Sequence, residues 1–103
     1  MEDKYSFVIS QRARTDLENI YQYISEVLLN PKAADDLMDH FFKSFKNICS
    51  FPYSCEAINN EFVKDHSLRK LLVNNYIAFY RAKDKQIQIV RILFGMSDYQ
   101  KLL

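Results

Sequence analysis

The sequence predicts an α+β domain in which a two-helix hairpin packs on one small sheet. Two stretches repeat apolar residues at steps of three and four, and three later stretches carry β-forming residues bounded by polar turns. Gly and Pro together number only three, so little interrupts either pattern. At 103 residues one core must serve, and a single domain spanning 1–103 is expected. Hydrophobic residues make up 49 % and charged residues 26 %, the balance of a globular chain rather than a disordered one. Aromatic residues reach 15 %, which implies an aromatic core or rings waiting for a partner.

The elements follow in order. Tyr5 to Ile9 is a short β-forming run with Tyr5, Phe7 and Ile9 on one face. Ser10 is placed to cap a helix, its hydroxyl accepting from an otherwise unpaired N–H. Leu17, Ile20, Tyr21, Ile24, Val27 and Leu28 then form the stripe of an amphipathic helix of about five turns. Asn30-Pro31 ends it and begins another, with Asn as cap and Pro at the first helical position. Ala34, Leu37, Met38, Phe41, Phe45 and Ile48 continue the spacing, and Phe42 widens it. So short a connector folds the two helices back on each other.

Phe51-Pro52 closes the second helix. Tyr53 to Lys64 has no clear period and reads as a connecting loop, with Glu56, Glu61, Asp65 and His66 solvated. Leu68 to Val73, Tyr76 to Ala82 and Gln86 to Phe94 read as three strands of an antiparallel meander. Asn74-Asn75 and Lys83-Asp84-Lys85 are the turns between them. The last strand is apolar on both faces, which suits a central position. The first strand is expected beside one of these three. Gly95 punctuates, Ser97 or Asp98 can cap, and Tyr99 to Leu103 forms one helical turn at most.

Several kinds of chemistry are excluded. The only glycine is Gly95, so no phosphate-binding loop, dinucleotide fingerprint or serine nucleophile elbow can be built. Cys49 and Cys55 lack CxxC spacing, and a helix-end Cys49 is expected to be buried and reduced. His40 and His66 have no second ligand at metal spacing. No metal, cofactor or small-molecule ligand is expected. The polar start and the lack of a long apolar run predict a cytoplasmic protein with no membrane partner. A net charge of +1 is weak support for nucleic-acid binding.

Arg69, Arg81 and Arg91 fall on three successive strands. They could converge as an anion-binding patch or stand as separate solvent-facing residues. Arg91 lies among apolar neighbours, with Ile89 and Leu93 as its alternation mates, and needs a partner or an open face. Tyr80 and Tyr99 are candidate functional hydroxyls, with packing as the plainer role of each.

The order and spacing of several pieces resemble the RelE/ParE family of bacterial type II toxins. The pieces are Ile9-Ser10-Gln11-Arg12-Ala13, Asp16-Leu17, Ile20-Tyr21-Gln22-Tyr23-Ile24, Pro31-Lys32-Ala33-Ala34 and Phe51-Pro52. Leu68-Arg69, Asn75 to Arg81, Ile89 to Leu93, Gly95 and Asp98-Tyr99 complete them. The resemblance implies a helical hairpin backing an antiparallel sheet, and a growth-inhibiting toxin neutralised by an antitoxin encoded beside it.

The family's ribosomal nucleases commonly carry an arginine where this chain has Ile77, and basic residues where it has Met96, Ser97 and Asp98. The resemblance is therefore closer to the ParE branch, whose members poison DNA gyrase. It implies target binding through Arg69, Arg81 and Arg91. The alternative is a RelE-like, metal-independent endoribonuclease acting on mRNA in the ribosome, with Arg69, Arg81 and Tyr99 as the catalytic set. A second alternative is an inactive relative. Tyr23, Phe42, Leu102 and Leu103 are the candidate antitoxin contacts.

Overall fold

A computed structural model describes residues 5–58 and 67–95. Strand β1 (Ser6–Ile9) leads into helix α1 (Gln11–Gln22), which runs on through a π-helical turn, Tyr23–Val27. Helix α2 (Pro31–Ser50) returns, and β2 (Arg69–Val73), β3 (Tyr76–Lys83) and β4 (Gln86–Phe94) follow. The sheet order is β1-β4-β3-β2, so the expected meander is present and β4 is central. β1 joins as a parallel neighbour of β4. None of the described helices is long and apolar enough to cross a membrane.

The caps expected of α1 and α2 are both made, while Ser97 and Asp98 lie outside the described residues. Ser10 Oγ accepts from Ala13 N–H at 3.0 Å, and Asn30 Oδ1 accepts from Ala33 N–H at 3.2 Å. Asp84 and Lys85 both take a positive φ, as a tight hairpin turn requires, while in the other hairpin Asn74 alone does.

The helices bury one stripe each against one sheet face. Ala13, Leu17, Leu37, Phe41, Phe45 and Ile48 meet Val73, Ala78, Tyr80, Ile87, Ile89 and Ile92. A smaller cluster on the other face joins Ile58, Leu68, Ile77, Phe79 and Leu93. Odd and even positions of β3 thus serve two cores, as the period of two dictates.

Three expectations are corrected. Val27 and Leu28 do not continue the α1 stripe but are 64 % and 54 % exposed. The π-helical turn, with Leu28 N–H bonded to the Tyr23 carbonyl, adds a residue to the turn and rotates them off the core. Secondly, Val90 is the extra residue of a β-bulge, since Tyr80 stands opposite Ile89 and Phe79 opposite Arg91. Ile89 and Arg91 therefore do not share a face: Ile89 enters the helix-side core and Arg91 stands on Phe79's side. Thirdly, the segment after α2 is not all solvated loop. Ala57 bridges Arg69, and Ile58 is buried.

Tyr80 is fully buried, and its hydroxyl donates to the Pro52 carbonyl at 2.9 Å. Burial, then a hydrogen bond with Cys55, raises its pKa above the ordinary phenol value. The neutral phenol is thus favoured in the folded state. Its contribution is complete below about pH 10 and is lost as pH rises beyond that. Tyr80→Phe should cost about 1–2 kcal/mol at neutral pH by orphaning the acceptor, and should flatten the alkaline fall in stability. Urea unfolding at neutral pH and above pH 10 checks both effects.

Candidate functional site

The three arginines do not converge on one face. Directly paired residues of neighbouring strands share a face. Arg69 stands opposite Tyr80 and so lies on the helix side, whereas Arg81 opposite Gln88 and Arg91 opposite Phe79 lie on the other. The expectation of one three-arginine patch is corrected by this register.

Arg69 and Arg91 are engaged in the fold. Arg69 Nη1 donates to the Cys55 carbonyl at 2.7 Å, and the guanidinium lies 5.0 Å from the Tyr53 ring centre. It fastens the segment after α2 to the start of β2. Arg91 Nε and Nη2 donate to the two oxygens of Asp16 at 2.9 and 3.2 Å. The same carboxylate accepts from Ile92 N–H at 2.8 Å.

The bonds around Asp16 have a structural cause. β1 ends at Ile9, which is paired with Ile89, so β4 runs on past its parallel neighbour. Side chains from the start of α1 take up the bonds that a longer strand would make. Ser10 Oγ donates to the Val90 carbonyl at 2.9 Å, and Asp16 accepts from Ile92. In the sequence Asp16 enters only as part of the piece Asp16-Leu17, with no partner or role attached to it. Its partner is 75 residues away, and an acid on an amphipathic helix ordinarily faces water.

Of the expected partner contacts, Tyr23 is 52 % exposed at the hairpin tip and Phe42 is 40 % exposed beside β1. Phe42 also lies 6.4 Å from Phe7 and 5.9 Å from Phe45, ring centre to centre, so it belongs partly to the core. Around Tyr23 the structure adds Val27, Leu28 and Leu29, giving a contiguous stretch of exposed apolar chain. Leu29 takes φ 53°, a left-handed conformation rare for a branched residue, and it is 80 % exposed. Tyr99, Leu102 and Leu103 lie outside the described residues, as do Glu61, Asp65 and His66.

Ile77, where the nucleases would place an arginine, is a buried member of the outer cluster. Glu56 is exposed, and its carbonyl accepts from Lys70 N–H. His40 is exposed on α2. Among the described residues no three His, Cys, Asp or Glu side chains gather as metal ligands, and both cysteines are free thiols.

A strand, a helical hairpin and an antiparallel meander make up a small α+β fold. Solved structures share it. A chromosomal ParDE toxin–antitoxin system from P. aeruginosa matches with TM-score 0.73 at 24 % identity, over 90 % of this chain and 98 % of that one. The RelBE2 toxin–antitoxin complex from Mycobacterium tuberculosis matches with TM-score 0.61 at 16 % identity, over 88 % and 98 %. A conserved hypothetical protein from Helicobacter pylori matches with TM-score 0.55 at 13 % identity, over 87 % and 93 %. No curated protein matches by sequence. The family model described as the ParE toxin of the type II toxin-antitoxin system, parDE, matches residues 7–99. The chain belongs to the ParE toxin family.

Proposed function

We propose that this toxin of a type II toxin–antitoxin module acts in the cytoplasm by binding and poisoning DNA gyrase, and that an antitoxin neutralises it. The family match over residues 7–99 carries the reading. The engagement of the arginines supports binding over cleavage. A nuclease working without a metal needs cationic and acid–base groups aimed at one phosphodiester. Here Arg69 is spent on backbone carbonyls and Arg91 on Asp16, and the two lie on opposite faces of the sheet. The antitoxin reading draws on neighbours that are themselves toxin–antitoxin systems.

Purified protein added to gyrase, ATP and supercoiled plasmid should accumulate cleaved DNA–gyrase complexes in proportion to dose. Addition of the protein encoded by the adjoining reading frame should abolish them. If gyrase is untouched while translated mRNA acquires new breaks within codons, the nuclease alternative holds instead.

A further inference from the structure

Strand β1 leaves part of its outer edge uncovered beside the last turns of α2. Ser6 N–H donates to the Lys85 carbonyl at 3.2 Å and Ser10 N–H to the Ile89 carbonyl at 2.9 Å, so the even-numbered residues turn their backbone groups toward β4. Alternate residues of a strand face their backbone groups opposite ways, and Tyr5, Phe7 and Ile9 therefore face outward. Two of the three are engaged. Tyr5 N–H donates to the Cys49 carbonyl at 3.1 Å, and the Ile9 carbonyl accepts from Arg14 Nε at 3.2 Å. Among the described residues none bonds to the N–H or the carbonyl of Phe7.

A hollow of about 440 Å³ opens there, lined by Tyr5, Ser6, Phe7, Lys46, Cys49 and Ser50. The rings of Tyr5 and Phe7 and the buried Cys49 supply apolar walls. Its polar groups are mostly donors: the Lys46 ammonium, the hydroxyls of Ser6 and Ser50, and the outward N–H of Phe7. No carboxylate lines it, and among the described residues none pairs with Lys46. Unpaired donors around an apolar floor select a ligand that brings acceptors on an apolar body. Charge narrows the class further. Lys46 is the single cation, and α2 ends at Ser50, so its last carbonyls present the negative end of the helix dipole. That balance suits one negative charge and opposes a doubly charged phosphate. The volume lies near the lower end of ligand cavities, roughly 300–1,000 Å³, which leaves room for one ring on a short arm.

We propose that this hollow between β1 and α2 binds a small ring-bearing monocarboxylate, its ring against Tyr5 and Phe7 and its carboxylate between Lys46 Nζ and the Phe7 N–H. The bound acid ties the edge strand to the end of α2, as the Tyr5 to Cys49 bond already does beside it. Binding is therefore coupled to the stability of the fold. The site needs neither gyrase nor an antitoxin, so it stands or falls apart from the function proposed above.

The test titrates the full chain with hydrocinnamate and follows its backbone amides by NMR. The Phe7 and Ser50 amide signals should move and saturate with a dissociation constant below about 1 mM. At about ten times that concentration the thermal midpoint should rise by roughly 5 °C. Hydrocinnamamide, which keeps the ring and loses the charge, should bind at least about threefold more weakly, and so should the dianion of phenyl phosphate. Lys46 is exposed, so Lys46→Met should keep the parent's midpoint without ligand while it abolishes the preference for acid over amide. The comparison of acid with amide uses the parent protein, so a folding defect in the variant cannot mask the result. Amide signals at Phe7 and Ser50 that do not saturate, or equal binding of acid and amide, overturn the proposal. So does saturation confined to the exposed stretch around Tyr23 and Leu29.

Discussion

Asp16→Ala is expected to cost about 3–5 kcal/mol of folding stability, far more than an ordinary helix-surface acid. Its carboxylate and the Arg91 guanidinium are 13 % and 14 % exposed, so water cannot replace either partner. The truncation takes a carboxylate away from beside a nearly buried cation and also orphans the Ile92 N–H. The second loss alone is of order 1–3 kcal/mol. Asp16→Asn separates the two, because its amide oxygen can still accept from Ile92 while the charge is gone; an intermediate loss is expected. Arg91→Met combined with Asp16→Asn should recover part of the cost, since no unpaired charge is then buried. Urea unfolding of the parent protein and these three variants measures the losses and the recovery. A loss below about 1 kcal/mol for Asp16→Ala would place the pair among ordinary surface ion pairs and refute this account.

The same residue shows where the sequence ceased to be readable. Caps, helix starts and turns are local, and Ser10, Asn30-Pro31, Asn74-Asn75 and Lys83-Asp84-Lys85 announce them through neighbours two or three positions away. The central place of β4 was likewise legible, because apolar residues on both faces of a strand require cover on both. Asp16 carries no such mark. Its role depends on β1 ending at Ile9 and on α1 passing β4 just beyond, a relation between segments about 75 residues apart.

Departures from ideal geometry were hidden for a related reason. A π-helical turn and a β-bulge each add one residue to a repeating pattern, and every side chain beyond the insertion changes face. Hence Val27 and Leu28 project outward, and Ile89 parts company with Arg91. The candidate surface was legible only in part. Tyr23 and Phe42 are exposed as expected, whereas the arginines separate because pairing register, which no single strand encodes, assigns Arg69 to one face and Arg81 to the other.

Phe45→Ala is expected to cost about 3–5 kcal/mol and to lower the thermal midpoint by roughly 12–20 °C. The ring is fully buried, and Phe7, Phe41 and Phe42 surround it at centre-to-centre distances of 5.6, 6.1 and 5.9 Å. These contacts join α2 to β1, so the cavity left behind cannot close without moving a strand that is held to β4. A domain of this size has about 5–15 kcal/mol of stability in total, and the variant should be partly unfolded at 37 °C. Phe42→Ala is the informative comparison. With 40 % of its surface already exposed, it forfeits less burial and should cost about 1–2 kcal/mol. If the two variants unfold at similar temperatures, Phe42 belongs to the core as fully as Phe45 and has little surface left for a partner. If Phe42→Ala stays near the parent protein yet loses antitoxin affinity, the exposed part of its ring is the part that binds.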